Sequence, residues 1–400
     1  MRGTRTTFSA TILAVLGVQI AVAVAVAGAL YVARREFRPQ FDAVEQWILT
    51  PRLTPAHLGD GRPAADMLLC YPMGLALNGS GELLISDRGR DRRGRLVWRI
   101  DDAGNAHIVA GTGRRGVATA SHALDLDLDR PESMAVAPDG SIFLSDGYNH
   151  VVLRIAPHGN VERFAGTGSP GFSGDDGPAA AATLFRPADI RLDRKGNLFI
   201  ADVKNNRVRR VDPSGRITTV AGNGEAGFSP DGTPASAARF DTIWGLGLDR
   251  EDRLLIGDGG NHRVRRVDDD GRLLTLAGSD SRGYAGDGGP ATQASLNFPE
   301  GLSVDPAGRL YISDEWNNVV RMVDTDGTIS TVIGTGFPGR AALGGVARSS
   351  PLDDPESVLW TRAGLLVADG NNGRVIRVSQ DGIIELVAGR SDTASCAPRW

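Results

Sequence analysis

Lysine is nearly missing from this chain of 400 residues: Lys195 and Lys204 are the only two, so the positive charge is carried almost wholly by arginine. With a net charge of −4 no basic face large enough for nucleic acid is implied. There is no Gly-X-Y period, and Val, Ile, Leu and Phe are plentiful, which excludes collagen and a disordered chain. G-x-S-x-G, H-E-x-x-H, P-loop and Cys-His patterns are all absent, so no complete catalytic set can be read from motifs. The DLDLD run at Asp125 to Asp129 alternates oxygens as a calcium loop does. Arg130, however, stands where an EF-hand needs Gly, and Val136 where it needs Glu. The excess is in glycine: 52 residues against the ~7% of ordinary usage, which reads as an inventory of tight turns.

From Phe8 to Val32 the chain is almost continuously apolar, bracketed by Arg2, Arg5, Arg34 and Arg35. A run of this length matches the ~20 residues that span a bilayer. A signal peptide is the rival reading, because small residues around 23 to 29 offer cleavage sites, yet secretory apolar cores usually run only ~7–15 residues. Arginines on both flanks leave the positive-inside count undecided. Residues 1–33 are therefore expected to be a membrane anchor or signal segment and 34–55 a juxtamembrane linker.

The rest of the chain repeats. A short apolar run ends in Asp six times, at Asp87, Asp146, Asp202, Asp258, Asp314 and Asp369, at intervals of 59, 56, 56, 56 and 55 residues. Fourteen or fifteen residues before these stand Pro72, Pro131, Pro187, Ile243, Pro299 and Pro355. Each unit holds four short strands split by Gly and Asp turns. Six such units predict an all-β fold, a six-bladed β-propeller of four-stranded antiparallel blades over residues 56–396, with 397–400 a tail. Asn149, Asn205, Asn261, Asn317 and Asn372 each follow the anchor Asp by three residues, and strings such as DVKNNRVRR at Asp202 and DGGNHRVRR at Asp258 resemble the NHL-repeat family. Blade one departs from the pattern, with the basic insertion RGRDRRGR at 88 to 95 and no matching Asn.

The inter-blade loops GDDGPAAAATLFRP from Gly174 and GDGGPATQASLNFP from Gly286 have a partner, GDGRPAADMLLCYP from Gly59, ahead of the first blade. That copy is the second half of a loop whose first half follows Gly389, so the two ends are expected to meet at one seam, with the last blade built from C-terminal strands alone. In that register Cys70 and Cys396 approach each other. Two readings stand: a disulfide across the seam, which fits an oxidising compartment, or two unrelated buried thiols.

The residues following the Pro positions fall at one mouth of the channel. Among them Glu132, Glu300 and Glu356, with Asp189 one step further in blade three, could coordinate Ca²⁺ or another divalent ion. Likeness to gluconolactonase-type propellers implies a metal-dependent hydrolase there. The opposing reading has these carboxylates capping turns and pairing with arginines. His150 and His262 occupy equivalent repeat positions. The peptide-amidating lyases, relatives in fold, hold zinc through channel histidines, but two copies fall short of three protein ligands. The anchor Asp and Asn residues read as turn-satisfying groups, and Phe172, Phe228 and Tyr284 as wedges between blades. Departures from a repeat are where binding is built, so Arg88, Arg90, Arg92, Arg93 and Arg95 are the candidate binding residues, against the alternative of a solvated charge run. The expectation is a membrane-tethered, extracytoplasmic, non-enzymatic scaffold, periplasmic or at the cell surface, with no cofactor. Its loop faces take a protein, peptide or glycan and no nucleic acid. The alternative is the channel hydrolase or lyase.

Overall fold

Strands of five to seven residues, too short to bury both faces alone, pair antiparallel in chain order into six four-stranded blades. The computed structural model describes residues 60–89 and 94–390. The apolar run 8–32, the linker, Arg90, Arg92, Arg93 and Cys396 lie outside the described residues. Among the described residues no helix is long and apolar enough to cross a membrane.

The innermost strands begin at the Pro positions: Pro72–Leu77, Pro131–Val136, Pro187–Leu192, Ile243–Leu248, Pro299–Val304 and Pro355–Thr361. They pack side by side around the channel, the first against the last. Approach is close enough that a Cβ on Gly245 would stand 1.7 Å from the Glu300 carbonyl oxygen, and one on Gly301 2.5 Å from that of Glu356. Apolar side chains fill the gaps between neighbouring blades. One cluster joins Leu75 and Trp98 of the first blade to Leu366 and Val375 of the last.

Closure follows the seam expected from the loops. The sixth blade takes all its strands, Pro355–Thr361 through Ile384–Ala388, from the C-terminal part. Arg62–Pro63 pairs with the outermost strand of blade one, Asn105–Ala110. The Gly389 amide donates to the Ala64 carbonyl at 2.9 Å, as Gly222 does to Ala235 and Gly278 to Ala291 within the chain. The N-terminal piece is thus a clasp loop in the same register as the other inter-blade loops.

The anchor aspartates are fully buried and satisfy turns. Asp202 accepts the Phe185 amide at 2.7 Å and Asn205 Nδ2 at 2.7 Å, and Asn205 also reaches the Gly171 carbonyl at 2.8 Å. Asp258 and Asn261, and Asp314 and Asn317, repeat the arrangement. Burial pushes Asp146, Asp258 and Asp314 up to about 7, with the Asn and backbone N–H donors pulling the other way. Beneath them lie Arg209, Arg265 and Arg321, wholly buried, each bridging the anchor Asp to a loop Asp, as Arg321 does to Asp314 at 3.7 Å and Asp287 at 2.6 Å. The loop aromatics are not wedges between blades. Phe172, Phe228 and Tyr284 are 42–44% exposed and lie over guanidinium groups, Phe172 over Arg207 and Arg209, Phe228 over Arg263 and Arg265, Tyr284 over Arg321.

Candidate functional site at the channel mouth

Three positions in each repeat turn toward one mouth of the channel, and each has a backbone reason. The residue after the Pro position sits in a β-bulge, because the register of every innermost strand shifts just beyond it. Bulges re-aim a side chain in this way. The residue before the Pro position is left-handed in five blades: Arg130 (φ 74°), Arg186 (60°), Thr242 (60°), Phe298 (62°) and Asp354 (62°). That conformation costs a side-chain-bearing residue about 1–2 kcal/mol. In four of these the amide is held by the fourth residue after the preceding blade's anchor Asp. His150 Nδ1 accepts from Arg186 at 3.2 Å, Asn206 Oδ1 from Thr242 at 3.4 Å, His262 Nδ1 from Phe298 at 3.3 Å and Asn318 Oδ1 from Asp354 at 2.9 Å. His150 and His262 therefore act as inter-blade acceptors in separate contacts. The third position is the one directly after the anchor Asp, occupied by Arg88, Gly147, Val203, Gly259, Glu315 and Gly370. Its two charged members are both at the mouth, and the sequence reading passed over this position in blade five.

These side chains enclose a cavity of about 220 Å³ lined by Tyr71, Met73, Arg88, Arg130, Trp244, Phe298, Glu300, Glu315, Trp316 and Glu356. Below it the channel narrows to a space of about 30 Å³ bounded by residues including Ser133, Asp189, Arg191 and Ser357, the share of about one water molecule. Asp189 belongs to this constriction. Its carboxylate accepts from Ser133 Oγ at 2.6 Å, from the Leu246 amide at 2.8 Å and from Arg191 at 2.5 Å, tying three blades together.

The mouth is electrically divided. On the side of blades five and six, oxygens of Glu300, Glu315 and Glu356 lie within 4.8 Å of one another. Burial, then the charges of Glu356 and Glu315, hold Glu300 well above the ordinary carboxyl range. Burial and Glu356 push Glu315 up to about 9, and burial raises Glu356 to about 7 against the pull of Arg88. Tyr71 donates its hydroxyl to Asp354, and burial together with Glu356 raises its own pKa. Phe298 and Trp316 stack with centroids 4.5 Å apart beside this acidic sector.

Blades one to three supply the opposite sign. Arg88 lies over the Tyr71 ring at 3.8 Å. Burial opposes its charge, but Glu356 and Glu132 keep its pKa above the usual value. Arg130 is ion-paired with Glu132, whose carboxyl burial raises and Arg130, Arg88 and Arg186 lower. Arg186 lies between Trp244 at 4.3 Å and Tyr148 at 5.1 Å, its pKa lowered by burial and by Arg130. Of the four carboxylates singled out by sequence, the structure brings Glu300 and Glu356 together and adds Glu315. Glu132 is committed to Arg130 and Asp189 to the constriction. The two described arginines of the basic insertion part company. Arg88 enters the mouth, whereas Arg95 is 9% exposed and faces Asp129 at 4.0 Å.

The sequence profile of the Teneurin NHL domain matches residues 280–338. Drosophila melanogaster Teneurin-m is 30% identical over 236 residues, 53% of this chain and 8% of that protein. Mouse Teneurin-3 is 29% identical over 245 residues, 55% of this chain and 9% of the relative. The chain thus spans about a twelfth of the length of these relatives. Among solved structures, a structural-genomics protein from Bacteroides thetaiotaomicron superposes with TM-score 0.57 at 18% identity, covering 79% of this chain and 71% of that one. An auxiliary nutrient binding protein from the same organism gives 0.57 at 13% identity, covering 80% and 71%. At these identities the likeness concerns the fold alone. Sequence and fold together describe an NHL-like six-bladed β-propeller.

Proposed function

We propose that this chain is a binding propeller, held at a membrane by its N-terminal apolar run and presenting the channel mouth to a ligand on the extracytoplasmic side. The observation that carries the reading is the mouth itself. A cavity of about 220 Å³, closed below, has arginines stacked on aromatic rings on one side and converging carboxylates on the other. Nothing in the repeat requires such an arrangement, since the bonding positions are satisfied by Asp, Asn and His without it. A peptide end or a terminal sugar fits the volume; a folded segment does not. A Cys70–Cys396 bridge at the seam accords with the same compartment, and Cys70 is buried beside the clasp at 4% exposure. The test uses the full chain in detergent, screened by thermal shift and native mass spectrometry against amino acids, short peptides, sugar acids and oligosaccharides. At least one class is expected to raise Tm, and Trp244→Ala to abolish the shift. A shift that survives Trp244→Ala, or none from any class, refutes a mouth-centred binding function.

A second reading rests on the carboxylate trio. Glu300, Glu315 and Glu356 offer a hard cation three oxygen donors with room for further ligands, and acids with raised pKa values suit general acid–base work. This is the metal-dependent hydrolase or lyase. Stoichiometric Ca²⁺, Zn²⁺ or Mn²⁺ in the purified protein, lost in Glu315→Gln, would favour it.

A further inference from the structure

We propose that the ligand of the mouth is a small organic zwitterion, its ammonium group received by Glu300, Glu315 and Glu356 and its anionic group by Arg88 and Arg186. The inference rests on the binding reading and gives it a chemical class.

The acidic half lacks a counter-charge of its own. Glu315 is 9% exposed. Its Oε1 accepts Trp316 Nε1 at 3.2 Å, while Oε2 is buried with no hydrogen-bond donor and faces the oxygens of Glu300 and Glu356. Among the described residues none of the three forms an ion pair, although most of the described arginines do. Three buried carboxyls cannot all carry charge without a cation among them, so in the empty site Glu300 and Glu315 hold protons, and an ammonium group seated among the three takes the place of those protons. The basic half is complementary. Arg130 is spent on Glu132, but among the described residues Arg88 and Arg186 form no ion pair and lie on aromatic faces, Arg88 feeling Glu356 and Glu132 only across the mouth. The Nε of Arg186 is buried without a partner. Stacking fixes a guanidinium plane while leaving its fork available for a carboxylate or phosphate.

Neither half alone accounts for the other. A bare metal ion uses the carboxylates and ignores the stacked arginines; a simple anion does the reverse. The cavity is equivalent to about seven waters at ~30 Å³ each, enough for an amino acid or the free end of a short peptide. Trp244, Tyr71 and Phe298 give its body apolar walls.

The experiment titrates the full chain calorimetrically with glycine, 4-aminobutyrate, 6-aminohexanoate and L-phenylalanine, each beside its N-acetyl and carboxamide forms. At least one zwitterion is expected to bind, blocking of either end to weaken it at least tenfold, and Glu315→Gln and Arg186→Gln each to do the same. Binding of the N-acetyl form as tightly as the parent overturns the inference. So does Ca²⁺ or Mn²⁺ binding at the trio with which the amino compounds do not compete. If sugar acids or oligosaccharides bind through Trp244 and no zwitterion does, the zwitterion inference falls while the binding function stands. If nothing binds at the mouth, both fall.

Discussion

Replacing Glu315 by glutamine is expected to stabilise the protein at neutral and alkaline pH and to leave it unchanged near pH 4.5. Burial and the Glu356 charge move the Glu315 carboxyl from 4.5 to about 9. Between those values the folded chain holds a proton that the unfolded chain has released, so stability falls as pH rises across that window. The loss accrues at ~1.36 kcal/mol per pH unit, which amounts to about 4 kcal/mol by pH 7.5. Glutamine has the shape of the protonated acid, keeps an oxygen for Trp316 Nε1 and does not titrate, so it escapes this penalty. An unfolding entropy of ~2.1 cal/mol/K per residue over about 330 residues converts 4 kcal/mol into a Tm rise of about 6 °C. Differential scanning fluorimetry of both proteins at pH 4.5, 6.0, 7.5 and 8.5 measures it. Subtracting one from the other cancels the anchor aspartates, which titrate alike in both, and leaves Glu315 together with its effect on the adjoining Glu300 and Glu356. A variant less stable than the parent at pH 7.5, or a difference that does not change with pH, would refute the assignment of a protonated carboxyl to this site.

Gly245→Ala places a methyl group 1.7 Å from the Glu300 carbonyl oxygen, so the innermost strands must part; a soluble, fully folded variant with unchanged Tm would contradict the packing described. Arg321→Leu leaves Asp314 buried without its cation and should cost about 3–5 kcal/mol, read as a lowered urea midpoint; a change under about 1 kcal/mol speaks against the buried pair. If Cys70 and Cys396 are bridged, alkylation of denatured, unreduced protein labels no thiol and labels two after reduction, and Cys70→Ser lowers Tm. Two thiols labelled before reduction would remove the bridge.

The ring was legible because the groups that build it recur. The Asp that ends the second strand recurs in all six blades, and the Asn three residues on and the Pro that opens the innermost strand in five each, so they leave a period in the sequence. Glu300 and Glu356 could be placed at the mouth by that register alone. Glu315 could not, because charge is unremarkable one residue after an Asp until the six copies are aligned. There Arg88 and Glu315 stand against Gly147, Val203, Gly259 and Gly370. Of the four carboxylates in the metal reading, Glu132 and Asp189 stand apart from the trio for a different reason. Sequence register gives a side chain's direction along the channel but not its partner, and Arg130 and Ser133 lie close enough to claim Glu132 and Asp189. The buried arginines are a further case: alternation along the third strand puts Arg209, Arg265 and Arg321 on the inter-blade face, where they are wholly buried.

A repeat carries two kinds of position, and the mouth separates them. Where a side chain bonds to the scaffold, the six copies converge on Asp, Asn or His, Gly and Pro. Where it opens on the cavity they diverge, and the divergence is ordered by charge around the ring. Blades one and two line the cavity with Arg88 and Arg130, blade four with Trp244, and blades five and six with Glu300, Glu315 and Glu356, while Arg186 stands behind Trp244 and Asp354 behind Tyr71. Glu132 is ion-paired with Arg130, which leaves Arg88 and Arg186 as the arginines of the positive sector without an ion pair among the described residues. Charges scattered to solubilise a surface would alternate in sign and stay in water. These are gathered by sign and half-withdrawn from solvent, which raises the energy of the empty site. A ligand that bridges the two sectors lowers that energy at both ends at once, so a single-ended ligand forfeits one of the two gains.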